Sequence, residues 1–207
     1  MKRLAIEGAG LGAHAGTLWM NGSEELIARA RLGEDDAFQS IFDRYSRPIL
    51  SFIYDMTGKR DVAEELAQET FVRAYRNLGT LNDADKLSTW LFGIARNCAL
   101  EHLRSRRREE HKVEMDDPAV MNLSNSEPLP EGALLNKEFN QVIQRALAAL
   151  DEDKRTVFTL KVFHQRSYEE IADITGFSIA KLKTDLHRAR REMRRRLQPY
   201  LGTGYEV

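Results

Sequence analysis

Helical periodicity runs through this chain from Glu24 to Leu197 and lapses at length only once. LLNKEFNQVIQRALAAL carries Phe139, Val142, Ile143, Ala146, Leu147 and Leu150 at i, i+3, i+4, i+7, i+8 and i+11, one apolar stripe of a helix. The lapse is REEHKVEMDDPAVMNLSNSEPLPEG, with three of the five prolines, many acids and few large apolar residues. That composition reads as a linker. No stretch alternates apolar and polar residues with period two, and no segment repeats. The expectation is an all-α chain: two small helical domains at 24–108 and 134–200, a flexible acidic linker at 109–133, and tails at 1–23 and 201–207.

Within the first half, Leu26, Ile27 and Ala30 precede a break at Gly33, and Ala37, Phe38, Ile41, Phe42 and Tyr45 follow at helical spacing. Pro48 is expected to open the next helix, with Ile49, Leu50, Ile53 and Tyr54 inward. DVAEELAQETFVRAYRNL is a third helix, with Val62, Leu66, Phe71 (or Thr70) and Tyr75 on its apolar side. LGTLNDADKLS is a loop, and TWLFGIARNCALEHLRSRRR a fourth helix. The opening MKRLAIEGAGLGAHAGTLWM is interrupted by Glu7 and four glycines, so it reads as a flexible tail and not as a signal peptide. Met20 is an alternative start, because the periodic pattern begins only at Glu24 or Glu25.

The formal net charge of −1 excludes a uniformly basic coat, so any nucleic-acid site must be a local patch. Cys98 is the single cysteine, which excludes an internal disulfide or cysteine-based zinc site and suits a reducing cytoplasm. No run approaches the roughly 20 apolar residues that cross a bilayer, so no membrane insertion is expected. His102 and His111 lack ligand-spaced partners. There is no nucleophile–base pair, no GxGxxG and no phosphate-cradling loop, so neither enzyme activity, metal nor cofactor is expected.

The local basic patch lies near the C-terminus. In SYEEIADITGFSIAKLKTDLHRARREMRRRL, Ser167 and Glu170 have capping-box spacing, and Ile171, Ala172 and Ile174 face inward. Gly176 sits where a turn needs positive φ, and Ser178 can cap the next helix. A helix, a glycine turn and a second helix make a helix-turn-helix. On a wheel of 100° per residue, Leu182, Leu186, Ala189 and Met193 fall within about 60° and form a seam. Thr184, His187, Arg188 and Arg191 point the opposite way, flanked by Lys181 and Lys183. Eight Lys or Arg between Lys181 and Arg196 oppose only Asp185 and Glu192. Like charges at i,i+4 repel, so the excess is explained by docking into a DNA groove, where cations meet phosphates. The bland alternative is a solvated basic helix.

DVAEELAQETF places Asp61, Glu64, Glu65, Gln68 and Glu69 on one polar face, which alone would pass for a solvated surface. The order of motifs decides otherwise. This segment, then STWLFGIARNCALEHLRSRRR, the linker and the helix-turn-helix together resemble bacterial RNA polymerase sigma factors of the extracytoplasmic-function group, over Glu25–Arg108 and Leu134–Leu197. The resemblance implies a region two and a region four. It implies that Asp61, Glu64, Glu65, Gln68 and Glu69 dock on the β′ clamp coiled coil of core RNA polymerase, and that region four meets the β flap. LGTLNDADKLSTW then matches the segment that captures a flipped base of the minus-ten element, with Asn82, Asp83 and Asn97 supplying hydrogen-bonding edges and the helix of Arg96 and Asn97 completing the surface. Arg104, Arg106, Arg107 and Arg108 would hold phosphates. Lys181, Lys183, Thr184, His187, Arg188 and Arg191 would read the minus-thirty-five element. Promoter DNA and an anti-sigma factor are implied partners.

Three departures from the family pattern stand out. Leu150-Asp151 replaces Leu-Pro, a minor capping change. KLKTD puts Asp185 where arginine is common, which implies an altered promoter sequence. Leu81 replaces an aromatic, which weakens base stacking in that loop, while Trp90 reads as core before it reads as a stacking platform. Two other functions fit parts of the pattern. A dimeric helix-turn-helix repressor or activator would not need the acidic face, and a sigma mimic that sequesters an anti-sigma factor would not need the cations of the last helix.

Overall fold

The computed structural model describes residues 14–116 and 131–200, and the side-chain surroundings of 23–109 and 138–200. The tail expectations for 1–13 and 201–207, and the flexible-linker expectation for 117–130, lie outside the described residues. Among those described, every regular element is helical.

Helix α1, His14–Arg31, ends in the turn at Gly33, whose φ of +83° an L side chain would resist. It begins inside the segment expected to be a tail. Once the turns after Glu24 exist, each further residue adds a hydrogen bond without a new nucleation step. That offsets Gly16 and Gly22, which cost about 1 kcal/mol each in a helix. Helix α2, Asp35–Thr57, is one helix, not two: Pro48 lies inside it instead of opening a second. An interior proline costs about 3 kcal/mol. The offset is a single stripe, Ala37, Ile41, Ile49, Phe52, Ile53 and Met56, buried on both sides of the proline. Helix α3, Arg60–Asn77, buries Ala63, Ala67, Thr70, Phe71 and Ala74. Tyr75, expected inward, is half exposed and lies edge-on to Phe38 at 5.0 Å. Two short 3-10 turns, Leu78–Thr80 and Ala84–Lys86, lead into α4, Leu87–Asp116. That helix runs through residues 109–116, which were expected to belong to the linker.

The C-terminal unit begins with α5, Glu131–Ala148. Phe139 opens the apolar stripe of α5 but is itself exposed; Ala146, Leu147 and the following Leu150 are buried. Asp151 caps α6, Glu152–Phe158, by accepting the Lys154 N–H at 2.9 Å. The helix then widens into a π turn at Thr159–Phe163. After it, α7, Tyr168–Thr175, and α8, Ile179–Leu197, form the helix-turn-helix.

The two units share one continuous core, in which α4 packs on α7, and α2 packs on α5 and on the π turn. Polar side chains cross this seam. Arg155 is buried, and its guanidinium donates to the carbonyls of Met56 at 2.8 Å, Ala148 at 2.6 Å and Leu150 at 3.2 Å. One cation thus serves the C-terminal carbonyls of both α2 and α5, where helix dipoles favour it. His164 lies edge-on between Phe52 and Phe92 at 5.7 and 5.5 Å, with Nε2 3.2 Å from the Asp55 carboxylate. Arg166 covers the Phe92 ring at 4.4 Å and donates to Ser88 Oγ at 2.8 Å. The π turn and the left-handed Gln165, φ +52°, aim His164 and Arg166 at the N-terminal bundle. A non-glycine residue in that conformation costs about 1 kcal/mol, so the surroundings must hold it there.

Candidate nucleic-acid and polymerase-binding surfaces

The helix-turn-helix is built as its sequence spacing requires. Ser167 Oγ accepts the Glu170 N–H at 3.0 Å, and the Glu170 carboxylate accepts the Ser167 N–H at 2.7 Å, a closed capping box. Burial works to raise the Glu170 pKa, but the Ser167 N–H and the Arg166 guanidinium hold it below the ordinary carboxylate value. Gly176, φ +73°, ends α7, and Ser178 caps α8. Along α8, Leu182, Leu186, Ala189 and Met193 are buried, while Lys183, Thr184, His187, Arg188 and Arg191 are exposed.

Lys181 is placed differently from its neighbours. Its ammonium pairs with Asp153 at 2.8 Å and Asp185 at 2.5 Å, and sits 3.7 Å over the Phe177 ring. Partial burial acts to lower its pKa, yet the two carboxylates raise it overall. To touch a phosphate it would first have to leave both acids. Asp185 is itself buried, at 8% exposure, so the wheel position 60° off the seam lies inside the packing and not at its edge. Asp185 holds Lys181 against α6 and offers no edge to a base.

A second surface is the outer face of α3. Asp61, Glu64, Glu65 and Gln68 are exposed and Glu69 is half-buried. Glu64 pairs with Arg60 at 2.9 Å and Glu69 with Arg73 at 2.7 Å, and Arg73 also holds Glu101 at 2.8 Å. The same face continues into Val72 and Tyr75, 41% and 49% exposed, with Phe42 of α2 alongside Phe71 at 4.8 Å. Sequence reasoning put Tyr75 on the apolar side of its helix and Phe42 among the residues at helical spacing. The period alone does not separate them: a wheel does not say whether a neighbour comes close enough to cover an aromatic at the margin of a stripe.

The third surface is an open cleft of about 480 Å³, lined by the 80–83 loop, by Lys86, Thr89, Trp90, Gly93, Ile94 and Asn97, and by Asp173 of α7. Asn82 and Asn97 are exposed. The Asp83 carboxylate accepts the Asp85 N–H at 3.0 Å and so caps the turn after it. Leu81 is buried, anchoring the loop where an aromatic would reach out. Trp90 is half-buried: its side chain lines the cleft and also packs on the core. Arg31 of α1 donates to the carbonyls of Leu78 and Leu81, tying the loop to the first helix. Arg96 is half-buried under the Phe177 ring at 5.5 Å, and burial lowers its pKa. Arg106 and Arg108 are exposed. Arg104 and Arg107 both pair with Glu152 of α6 at 3.1 Å, and Lys86 pairs with Asp173 at 3.0 Å. Lys86, Glu152 and Asp173 carry no periodic or motif signal that marks them in the sequence.

Among the described residues no group of His, Cys, Asp or Glu is arranged to hold a metal ion, and no helix is long and apolar enough to cross a membrane. Cys98 is buried, and that burial pushes its thiol pKa up, the state of a packed and unreactive side chain.

Residues 41–109 match the family description Sigma-70 region 2, and residues 140–193 match Sigma-70, region 4. The ECF RNA polymerase sigma factor SigW of Bacillus subtilis is 32% identical over 178 residues, covering 83% of this chain and 95% of that protein. The RNA polymerase sigma-H factor of Pseudomonas aeruginosa is 33% identical over 184 residues, covering 86% and 95%. Among solved structures, the sigma factor RpoE in complex with the anti-sigma factor NepR, from Bartonella quintana, superposes with a TM-score of 0.63 at 27% identity, over 78% of this chain and 96% of that one. CnrH, in complex with the cytosolic domain of CnrY, shares the fold, with a TM-score of 0.65 at 21% identity over 86% and 97%. Both sigma regions in order, and relatives matched over nearly their whole length, show that this chain belongs to the extracytoplasmic-function group of RNA polymerase sigma factors.

Proposed function

We propose that the chain works as an alternative sigma factor through three separate surfaces. The exposed acids and amide of α3, Asp61, Glu64, Glu65, Gln68 and Glu69, dock on the β′ clamp coiled coil of core RNA polymerase, and the C-terminal unit meets the β flap. Asn82, Asp83 and Asn97, around the cleft before α4, receive an unstacked base of the minus-ten element. Lys183, Thr184, His187, Arg188 and Arg191 of α8 read the minus-thirty-five element. An anti-sigma factor is the expected antagonist, and the work is done in the cytoplasm. The polymerase supplies the chemistry; this chain supplies recognition and strand opening.

The observation that carries this reading is the pairing, on one chain and in the family's order, of an outward acidic face on α3 with an outward basic face on α8. A duplex-binding repressor has use for the second and none for the first. The test is transcription with core polymerase on a genomic DNA library, with start sites sequenced. A shared two-part promoter upstream of the starts is expected. Glu65→Lys should weaken core binding while leaving helicity and melting temperature unchanged, because the residue is exposed. Core affinity that does not respond to Glu65→Lys would remove α3 from the docking surface.

A further inference from the structure

Asn82 stands on a stretch of chain with open space on both sides. On one side lies the cleft of about 480 Å³ that reaches Trp90 and Asn97. On the other, toward Glu24, Ile27, Ala28 and Arg31 of α1, lies a second cleft of about 310 Å³, and Asn82 and Asp83 line both. Packing on its flanks therefore does not fix this wall; its two ends must. The downstream end closes on itself, since the Asp83 carboxylate accepts the Asp85 N–H at 3.0 Å and the Asp83 carbonyl accepts the Lys86 N–H at 3.1 Å. The upstream end is held from another element. The Arg31 guanidinium donates through Nε to the Leu78 carbonyl at 3.3 Å and through Nη2 to the Leu81 carbonyl. The Leu81 carbonyl belongs to the peptide plane that leads into Asn82, so holding it sets the direction in which Asn82 starts. The buried Leu81 side chain fixes where the chain sits, not the tilt of that plane. Arg31 itself works from a firm base: Ile27 and Ala30 of α1 are buried, and Arg29 pairs with Glu34 and Asp36 across the turn into α2. A helix dipole favours a cation in the last turn wherever its side chain lies. That accounts for an arginine here, but not for two donors aimed at carbonyls 47 and 50 positions away.

We infer that Arg31 is a positioning residue for base capture: it holds the Leu81–Asn82 peptide so that Asn82 is aimed at the unstacked base before the base arrives. This rests on the reading of the cleft as the minus-ten base site. A hydrogen-bonding edge on an unheld loop must be ordered as the base binds, and that cost is subtracted from the preference for the right base. The planar fork of arginine serves both carbonyls at once, which a lysine ammonium does less well. Arg31 acts on the base only through Asn82 and touches no DNA.

The test uses the full-length chain with core polymerase, on a promoter taken from the library transcription and varied through all four bases at each unpaired minus-ten position. Base preference is read from transcript yield. Arg31→Met keeps the reach of the side chain and removes its donors. It should leave closed-complex affinity and its salt slope unchanged, and lower the preference for the captured base by roughly tenfold, the scale of one base contact. Arg31→Lys should recover part of that preference. In the Asn82→Ala background Arg31→Met should add nothing, because the two residues act as one unit. Hydrogen exchange in the free chain reads the tether itself: amides of 81–86 should exchange roughly tenfold faster in Arg31→Met, with α3 and α4 unaltered. Unchanged exchange, unchanged base preference, or a loss that adds to that of Asn82→Ala would overturn the proposal. So would a salt slope lower by about one unit, the mark of a direct phosphate contact by Arg31. A wild-type chain that directs polymerase yet prefers no base at any unpaired position sinks the capture reading and this role with it. A wild-type preference that Arg31→Met leaves intact sinks the role of Arg31 alone.

Discussion

At the scale of single residues, the helix-turn-helix depends on contacts that can be removed one at a time. Ser167→Ala takes away the acceptor for the Glu170 N–H and should lower stability by about 1 kcal/mol, read as a shift in the denaturation midpoint at constant slope. Glu170 adds a pH dependence whose sign follows from its lowered folded-state pKa. A carboxyl more acidic when folded than its ordinary 4.5 stabilises fully above that value, and loses its effect as pH falls through the folded value. Glu170→Gln should therefore lower the neutral plateau and leave stability below the folded-state pKa nearly unchanged, which flattens the acid limb of the profile. These positions were legible because a capping box is a spacing rule. Asp185 shows where such rules stop. A wheel gives an angle, and at 60° from the seam the angle does not say whether α6 comes close enough to bury the side chain; it does, bringing Asp153 to share Lys181.

At the scale of elements, the proposed readers of the promoter sit on different helices: Arg188 on α8 and Asn97 on α4. Losing a base contact should cost about 1–3 kcal/mol and relax specificity at one position, and losing a phosphate contact should reduce the salt slope by about one unit. Arg188→Ala should therefore weaken recruitment and blunt the effect of minus-thirty-five changes, while bound complexes still open. Asn97→Ala should give closed complexes in which permanganate-reactive thymines fail to form. Normal melting with Asn97→Ala would take that residue out of the cleft's function. Helices themselves were largely readable from period 3.6, because one stripe per helix is buried. The errors fall where packing overrides a local signal. Pro48 is a helix-start residue by propensity, but the stripe running from Ala37 to Met56 keeps α2 in one piece. Tyr75 follows the period and is left half exposed, packed on one side by the edge of Phe38.

At the scale of the whole molecule, the sequence implies two independent modules, and the structure joins them through one core. The seam is illegible in sequence for a physical reason: its central residues, Arg155, His164 and Arg166, are of types that usually face water, and here Arg155 is buried and the other two half-buried against partners 99, 109 and 78 positions away. Its energetics make a definite prediction. Arg155 has no carboxylate partner; it is held by three carbonyls, one from α2 and two from the α5 end. Removing it strands those acceptors, at about 1–3 kcal/mol, and one of the three belongs to the other module. If the seam couples the modules, the free chain should unfold in one transition, with calorimetric and van't Hoff enthalpies equal. Arg155→Ala should lower the melting temperature of both modules together, or split the transition into two. Modules that merely share a tether would melt separately in the wild type, and Arg155→Ala would then shift only the C-terminal transition. If the proposed docking of α3 and of the C-terminal unit on core polymerase requires the two modules to separate, the free energy of closing the seam is subtracted from the affinity for polymerase. Arg155→Ala should consequently bind core polymerase tighter than wild type while being the less stable protein, a pairing of opposite signs that a simple folding defect does not produce.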